Sequence, residues 1–322
     1  MTFQRRRLAT GVAALLAGLL VLAGCGQVEE EQAAEGATIE TMFGPVTVPA
    51  DPQRVVALGW SDAEAALALG VQPVGVSDWI PFGGNGVGPW ADDLVTEPPT
   101  ILGTLELSYE QISSLEPDLI LNTRSDNSRE KHDELSKIAP TVSPPPGVVA
   151  YGTTWVQQTE MVAAALGKQE EGARQIAEVE QAFADARAAH PEFEGKTVAV
   201  GAYFSDQYGG YVRGDARVDF MESLGFVNKP EIQAQAGDTF FIELAREQIE
   251  QLSADLTVMF PIGGDATPLR EDPVLNQIPS ARAGNLLILD DEGVVQAFSA
   301  GSVLSTRYAI DNAVPIFADA LS

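Results

Sequence analysis

The chain has 322 residues, of which 45% are hydrophobic, and its 46 acidic side chains outnumber its 19 basic ones, for a net charge of −27. A length of this order suits two domains with sizeable hydrophobic cores. Such an excess of negative charge argues against nucleic acid or an anionic lipid surface as the binding partner.

The first predicted element is an export signal at residues 1–25. Its basic start, Arg5–Arg7, fits either the general or the twin-arginine export route, and the apolar run Leu8–Leu22 is too short for a comfortable transmembrane span. The run ends in Leu-Ala-Gly-Cys, which matches the lipobox of bacterial lipoproteins. Because Cys25 is the only cysteine of the chain and cannot form an internal disulfide, we predict that it is the lipidation site.

The next segment, residues 26–38, is acidic and lacks apolar periodicity, so we predict a flexible tether. An N-terminal α/β lobe is predicted over residues 39–150. It opens with a strand at Arg54–Leu58, a helix at Ala63–Leu69 and a second strand at Gln72–Val76. This order is typical of a parallel sheet covered by helices.

Two helix starts in this lobe carry the spacing of a capping box, in which a serine and a residue three positions later bond each other's backbone. Ser61 is paired in this way with Glu64, and Ser108 with Gln111. We therefore predict that both serines are N-caps.

A fifteen-residue pattern occurs twice, at 107–121 and again 137 positions later, with seven identical residues. Each copy predicts a short helix that runs into a buried strand opened by an aspartate, Asp118 or Asp255. Glu110 and Glu247 occupy matching positions in the first helical turn and face outward. Glutamates favour helix N-termini in any case, but their pairing suggests a shared role at the surface of two similar lobes.

Between the two copies lies a predicted helical connector, residues 151–194, with a break near Gly167. The C-terminal lobe, residues 195–322, begins with a strand at Thr197–Ala202 and ends with a helix at Val303–Leu321. The predicted fold is thus α/β, with two parallel-sheet lobes joined by one long connector helix and a ligand cleft between them. Such a connector is stiff, so we expect no large hinge motion.

The chain resembles the substrate-binding lipoproteins of iron–siderophore ABC importers, the helical-backbone class of periplasmic binding proteins that includes vitamin B12 and haem binders. The resemblance rests on the lipobox at Cys25, on Arg-Val-Val-Ala-Leu at 54–58 with Leu-Gly-Val-Gln-Pro-Val-Gly-Val at 69–76, on the repeat and on the connector. It implies capture of a ferric siderophore outside the cytoplasmic membrane by a lipid-anchored monomer without catalytic residues. It also implies delivery to an ABC permease dimer with its ATPase subunits, with Glu110 and Glu247 as the permease-docking residues.

In a two-lobed α/β protein the ligand is expected at the carboxyl ends of the strands, between the lobes. The loops there are rich in aromatic and arginine side chains, which suit the organic shell and the oxygens of a metal chelate. Arg217 is a further candidate. The predicted ligand-binding residues are Trp60, Trp79, Trp90, Arg124, Tyr203, Tyr208, Tyr211, Arg213, Phe240 and Phe260.

The chain has only two histidines, His132 and His190, so we expect no protein-ligated metal and no resident cofactor. The metal should arrive as an Fe(III)–siderophore complex. Few cationic side chains are available, which favours a neutral hydroxamate or mixed-ligand siderophore over a trianionic catecholate. Haem or cobalamin is an alternative ligand, and the tyrosines at 203, 208 and 211 are candidates for holding bare ferric ion or haem iron. The remaining alternative is an exported α/β enzyme.

Overall fold

The structure is a computed structural model that describes residues 35–104 and 106–322. Two α/β lobes are joined by a helical connector. The elements of the first lobe are, in chain order, β1 (Glu35–Thr41), β2 (Gly44–Pro49), β3 (Val55–Ala57), α1 (Asp62–Ala68), β4 (Gly75–Ser77), α2 (Pro89–Asp92), β5 (Thr100–Leu102), α3 (Tyr109–Ser114), β6 (Leu119–Leu121), α4 (Arg129–Leu135) and β7 (Thr141–Val142).

The first lobe is built on a five-stranded parallel sheet in the order β5-β4-β3-β6-β7. Every residue of β3, β4 and β6 is buried, as expected for a sheet covered on both faces. β1 and β2 form a separate antiparallel hairpin. Because β1 begins at Glu35, the prediction of a flexible tether over 26–38 is wrong for its last residues. The predicted signal, Cys25 and the rest of the tether lie outside the described residues.

Two helices, α5 (Trp155–Ala165) and α6 (Gln169–Ala189), form the connector. Thr154 caps α5 in a capping box, in which its Oγ1 accepts from Gln157 N at 3.2 Å and Gln157 Oε1 accepts from Thr154 N at 3.1 Å. Between the helices Gly167 adopts the left-handed conformation, with φ of 65°. The predicted break at this residue is confirmed, and a 3₁₀ turn at Pro191–Phe193 then leads into the second lobe.

The second lobe contains most of the remaining regular structure. Its strands and α-helices are β8 (Thr197–Phe204), β9 (Gln207–Tyr211), α7 (Ala216–Ser223), β10 (Val227–Asn228), α8 (Pro230–Gln233), β11 (Phe241–Leu244), β12 (Leu256–Pro261), α9 (Thr267–Glu271), α10 (Pro279–Arg282), β13 (Leu286–Ile288), α11 (Glu292–Ala300) and α12 (Val303–Asp319). Two 3₁₀ helices occupy Arg246–Leu252 and Leu275–Gln277. In the described part of the chain no helix is long and apolar enough to cross a membrane.

The sheet of the second lobe runs in the order β11-β9-β8-β12-β13, with β10 beside the start of β8. β8, β10, β12 and β13 are parallel, but β9 is antiparallel to both β8 and β11. The sheet is therefore mixed rather than purely parallel. β8 and β9 form a hairpin whose turn residues, Ser205 and Asp206, both have positive φ.

The repeated aspartates perform the same structural task in each lobe. The carboxylate of Asp118 accepts from Gln53 N at 2.7 Å and from Arg54 N at 2.9 Å, just before β3. Asp255 accepts from the backbone N and the Oγ1 of Thr197, at 2.8 and 2.7 Å, where β8 begins. In both lobes the aspartate thus joins the starts of the two central parallel strands.

The two predicted capping boxes behave differently. Ser108 Oγ accepts from Gln111 N at 3.2 Å, so this serine is the N-cap of α3. Ser61 has a φ of 65° and makes no side-chain cap, which contradicts the prediction. Its Oγ donates instead to Ala300 O of the other lobe at 2.7 Å, because contacts between the lobes outweigh the local capping preference.

Buried polar contacts hold the two lobes together around residues 300–302. Arg124 Nη1 donates to Ala300 O at 2.8 Å, beside the bond from Ser61. Glu64 of α1 is completely enclosed and accepts a short hydrogen bond from Ser302 Oγ, at the N-terminus of α12. Burial raises the pKa of Glu64, although the hydrogen bond from Ser302 counteracts it. These bonds support the expectation of limited motion between the lobes.

Candidate ligand-binding site

A cavity of about 910 Å³ opens between the lobes at the carboxyl ends of the strands, the usual place for a ligand in α/β folds. The first lobe contributes Trp60, which follows β3, and Trp79, Ile80 and Pro81, which follow β4. The second lobe contributes residues of the β8–β9 hairpin, the start of β11, the end of β12 and one face of α11. These include Phe204, Gln207, Tyr208, Tyr211, Arg217, Phe240, Phe241, Glu243, Phe260, Ile262, Asp290, Glu292 and Ser299.

A stack of three aromatic rings stands at the first-lobe side of the cavity, and two of its members, Trp60 and Trp79, line it. The ring of Trp60 lies between those of Trp79 and Tyr151, with centroid distances of 4.8 and 4.0 Å. Phe240 of the other lobe meets both Trp60 and Tyr151 edge-on, at 6.5 and 6.2 Å. Stacked and edge-on rings at these distances attract one another, so the aromatic contact extends from one lobe to the other across the cleft.

The opposite wall is also aromatic. Tyr211 and Phe260 lie nearly parallel, with centroids 5.9 Å apart and an interplanar angle of 8°. Phe241 packs beside Tyr211 at 5.1 Å and covers β9 at Gly209. A Cβ at Gly209 would approach the Phe241 ring to 1.9 Å, so only glycine leaves room for the ring at this position.

Arg217 is the cation of the cavity wall. Its Nη1 donates to Asp215 Oδ2 at 2.8 Å and its Nε to Ser299 Oγ at 3.1 Å. Its guanidinium carbon lies 4.2 Å from the ring centroid of Tyr211 and 5.3 Å from that of Phe260. Only 12% of the side chain is exposed. Two hydrogen bonds and cation–π contact thus hold a charged donor in place at the cavity surface.

The titration behaviour of this wall favours a charged arginine beside a neutral tyrosine. Burial lowers the pKa of Arg217, but the charge and hydrogen bond of Asp215 together with the contribution of Tyr211 outweigh it, so that the pKa lies above its ordinary value. Burial raises the pKa of Tyr211 to about 12 despite the nearby guanidinium. At neutral pH, Tyr211 is therefore a phenol and not a phenolate.

Carboxylates outnumber cations at the cavity. Glu243, Asp290 and Glu292 line it together with Arg217, whose charge is balanced by Asp215. Asp290 is paired with Arg270. Glu243 and Glu292 are exposed and, among the described residues, take part in no ion pair. The electrostatic field of the cleft therefore disfavours a strongly anionic ligand.

Six of the ten predicted ligand residues line the cavity: Trp60, Trp79, Tyr208, Tyr211, Phe240 and Phe260. Their contact with ligand stays a prediction. The hydroxyl of Tyr208 already donates a hydrogen bond to Asp272 Oδ2 at 2.7 Å. Two lining residues were less evident from the sequence. Arg217 is only an additional candidate there, and no pattern indicates Glu243 as a ligand residue. The alternation of β11, in which Ile242 and Leu244 face the core, places Glu243 on the cavity face.

Trp90 and Arg124 do not line the cavity. The indole Nε1 of Trp90 donates to Glu64 at 2.8 Å, so this side chain helps to fill the interface beside α1. Arg124 is buried and donates to two carbonyl oxygens, Tyr151 O at 2.8 Å and Ala300 O. Burial lowers its pKa to about 10. Arg124 therefore joins the lobes beneath the cleft instead of facing the ligand.

Tyr203 and Arg213 also do not line the cavity. The hydroxyl of Tyr203 donates to Asp206 at 2.7 Å within the hairpin turn. Arg213 forms an ion pair with Glu222 at 2.7 Å on the surface. Both were predicted from positions after a first strand that was expected to end at Ala202. In the structure β8 extends to Phe204 and contains Tyr203, which packs beside Tyr208, and Arg213 follows the returning strand β9.

Glu110 and Glu247 are exposed, each in the first turn of the helix that its repeat predicts, although the second helix is of the 3₁₀ type. α3 follows the carboxyl end of β5. The 3₁₀ helix follows Leu244, which pairs with Tyr208 near the carboxyl end of β8. Both glutamates therefore stand on the side of their lobe where the cleft opens.

A half-buried carboxylate next to this wall, Asp219, makes stability depend on pH. Burial raises the pKa of Asp219 to about 6, with Gly214 N and Arg124 acting in the opposite direction. Since the unfolded carboxyl titrates near 3.8, the native state loses stability as pH rises from about 4 through 6. We expect Asp219→Asn to be more stable than the natural chain by about 2 kcal/mol at pH 7.5 and equally stable at pH 4. Urea unfolding at both pH values measures this.

The matched control is Asp93→Asn, at an exposed position whose replacement should leave the pH profile unchanged. An Asp219→Asn profile that follows the natural chain at every pH would contradict the assignment.

Comparison with known proteins places these features in context. A family model described as periplasmic binding protein matches residues 55–292. The chain is 26% identical over 320 residues to the Bacillus subtilis protein named "Probable siderophore-binding lipoprotein YfiY", with 92% of this chain and 94% of that one covered. It is 28% identical over 253 residues to the Fe(3+)-citrate-binding protein YfmC of the same organism, with coverages of 75% and 76%. Streptococcus pneumoniae PiaA in complex with ferrichrome has a similar structure, with a TM-score of 0.75, 26% identity and coverages of 88% and 98%.

Proposed function

The chain belongs to the periplasmic binding protein family, and on that premise we propose that it captures a ferric siderophore and delivers it to an ABC permease for iron uptake. The protein is held at the outer face of the cytoplasmic membrane by lipid on Cys25. The observation that carries the proposal is the cleft itself, an aromatic cavity of about 910 Å³ with a fixed guanidinium on one wall. A cavity of this size accommodates a small metal chelate.

The chemistry of the wall supports iron that arrives already chelated. Direct coordination by tyrosine requires phenolate, but the pKa values of Tyr203, Tyr208 and Tyr211 all lie above the ordinary value. For Tyr208 the main causes are burial and the hydrogen bond to Asp272. The aromatic rings instead offer flat apolar surface to an organic shell, and Arg217 offers N–H donors to its oxygens.

The charge of the cleft favours a neutral chelate over an anionic one. The relatives include both an Fe(3+)-citrate-binding protein and a protein in complex with ferrichrome. A citrate complex brings carboxylates to a cavity that already contains Glu243 and Glu292. In a ferric trihydroxamate the three hydroxamate anions balance the charge of Fe(III), so the chelate core carries no net charge. We therefore propose a hydroxamate or mixed-ligand siderophore as the cargo.

An exported enzyme is less consistent with the site. His132 does contact a serine, with Nδ1 2.8 Å from Ser143 Oγ. Ser143, however, is completely buried, and the pair lies away from the interlobe cavity. A nucleophile that no substrate can reach cannot act on it.

Delivery requires a second recognition event. We propose that one copy of the protein docks on a permease dimer served by its ATPase subunits. Glu110 and Glu247, one on each lobe and both on the open side of the cleft, would face the permease as the ligand is handed over.

Titration of the purified protein with ferric siderophores, haem and cobalamin tests the proposal. We expect saturable quenching of tryptophan fluorescence by ferrichrome or ferrioxamine B, because Trp60 and Trp79 line the cleft. The iron-free siderophores should have a much smaller effect. Trp60→Phe should remove a large part of the quenching, whereas Trp90→Phe, outside the cavity, should not.

If only haem or cobalamin gives a response, that compound and not a siderophore is the ligand, and the assignment to the family still holds. No response to any of these compounds would contradict the proposed function.

A further inference from the structure

The charges of the cleft are separated in space. Arg217 lies on the aromatic wall against Tyr211 and Phe260, on the central strands of the second-lobe sheet. The two carboxylates without an ion-pair partner in the described residues, Glu243 and Glu292, belong to elements at opposite edges of that sheet. A ligand centred on the guanidinium would therefore have a carboxylate on either side.

Glu243 is directed to the cleft by strand alternation. It lies on β11, the edge strand, two residues after Phe241, whose ring covers Gly209 at the cavity wall. The intervening Ile242 packs into the core on the other face. A carboxylate thus stands beside the aromatic surface on which a chelate would rest.

Glu292 reaches the cleft from the opposite edge. It lies in the first turn of α11, which follows β13. Glu292, Val295, Gln296 and Ser299 all line the cavity, at the spacing of one helix face. Gln296 Nε2 donates to Glu292 Oε1 at 3.2 Å, and Ser299 holds Arg217, so this face forms one side of the binding wall.

We propose that the natural ligand is a ferric chelate that bears a protonated amine on a side arm, and that its ammonium group pairs with one of the two carboxylates, Glu243 or Glu292, that flank the guanidinium. This inference rests on the proposed function and narrows its ligand class. A neutral chelate would cover two carboxylates and give them no counter-charge in return. An ammonium arm brings a positive charge to one of them and forms charge-assisted hydrogen bonds there, while the oxygens of the uncharged iron chelate accept from Arg217.

Two probes with the same trihydroxamate core isolate the amine. Ferrioxamine B carries a free terminal ammonium, and its N-acetyl derivative carries a neutral amide at the same place. We expect the natural chain to bind ferrioxamine B roughly tenfold more tightly at low ionic strength, with a preference that shrinks as salt is added. In a Glu243→Gln, Glu292→Gln double variant the preference should disappear, because only the affinity for ferrioxamine B falls. Isothermal titration of both probes measures this.

Glu231→Gln, at an exposed position on α8 of the same lobe and outside the cavity, is the matched control and should keep the preference. Equal and tight binding of both probes by the natural chain would overturn the inference and leave the proposed function intact. A preference that survives in the double variant would also overturn the role of these two glutamates. Binding of neither probe, together with silence toward all other ferric siderophores, would overturn both.

Discussion

Replacement of both Glu110 and Glu247 by alanine is expected to abolish uptake of the ferric siderophore while its binding stays unchanged. Each single variant should lower the initial uptake rate by roughly three- to tenfold, since a charge pair at a wet interface contributes mainly orientation and encounter rate. The double variant should fall to the level of cells that lack the protein. Uptake of ⁵⁵Fe-loaded siderophore by cells measures transport, and fluorescence titration measures binding.

The structural reason is that the two glutamates are presented alike and, within residues 35–104 and 106–322, form no side-chain hydrogen bond or ion pair. Both are exposed in the first turn of a helix that descends from the open side of the cleft. Behind each helix an aspartate of the same repeat, Asp118 or Asp255, ties the following strand to its neighbour. Two carboxylates at corresponding points of two rigid lobes can fix the orientation of the protein on a permease with two halves.

The control for this experiment removes the same charge elsewhere. Glu160 and Glu180 are exposed on the connector helices, and their double replacement by alanine should leave uptake unchanged. If the Glu110 and Glu247 variant loses ligand binding together with uptake, these residues belong to the binding site and not to a docking surface. If uptake persists in that variant, the docking role is wrong.

The repeat explains why so much of the fold was predictable. An outward glutamate, inward apolar residues and a strand-opening aspartate follow from spacing alone, and the structure contains all three features in each lobe. The break in the connector was also predictable, because a glycine such as Gly167 between two helical patterns is a local signal. Local rules suffice where the local preference and the tertiary contacts agree.

Ser61 and Glu64 show where such rules fail. Their spacing predicts a capping box, but both side chains leave their own helix for Ala300 and Ser302 of the other lobe. The residues that they bond lie more than two hundred positions away in the chain. No pattern within one element indicates a contact of that kind.

The position of the cleft was predicted correctly, but only some of the residues that line it were. Carboxyl ends of parallel strands locate it, and the aromatic side chains there were visible in the sequence. The hairpin of β8 and β9 was not predicted, because its turn, Ser205-Asp206, lacks the glycine that usually signals positive φ. Its antiparallel register decides which side chains after β8 face the ligand. Tyr211 faces inward as a result, whereas Tyr203 and Arg213 do not line the cavity.

Two arginines four residues apart, Arg213 and Arg217, are expected to differ strongly in their contribution to ligand affinity. We expect Arg217→Leu to weaken binding of the ferric chelate by about 2 kcal/mol, roughly thirtyfold, since charge-assisted donors to the chelate oxygens are lost. Arg213→Leu should change the affinity by less than about twofold, because its guanidinium is exposed and paired with Glu222. Calorimetric titration of both variants with one ferric siderophore measures the difference.

Loss of Arg217 also leaves Asp215 without its partner, so the leucine variant is expected to unfold at a lower temperature. Arg217→Lys separates the two effects, since it keeps a charge near Asp215 and loses the planar group that lies against Tyr211 and Phe260. An affinity for Arg217→Lys between those of the natural chain and Arg217→Leu, measured below both unfolding midpoints, would place the guanidinium at the ligand. Natural affinity in Arg217→Leu, or a greater loss in Arg213→Leu, would mean that the chelate is bound elsewhere in the cleft. An arginine that follows a strand does not by itself supply the cation of the cleft. The path of the chain through the β8–β9 hairpin decides that Arg217 lines the cavity and Arg213 does not.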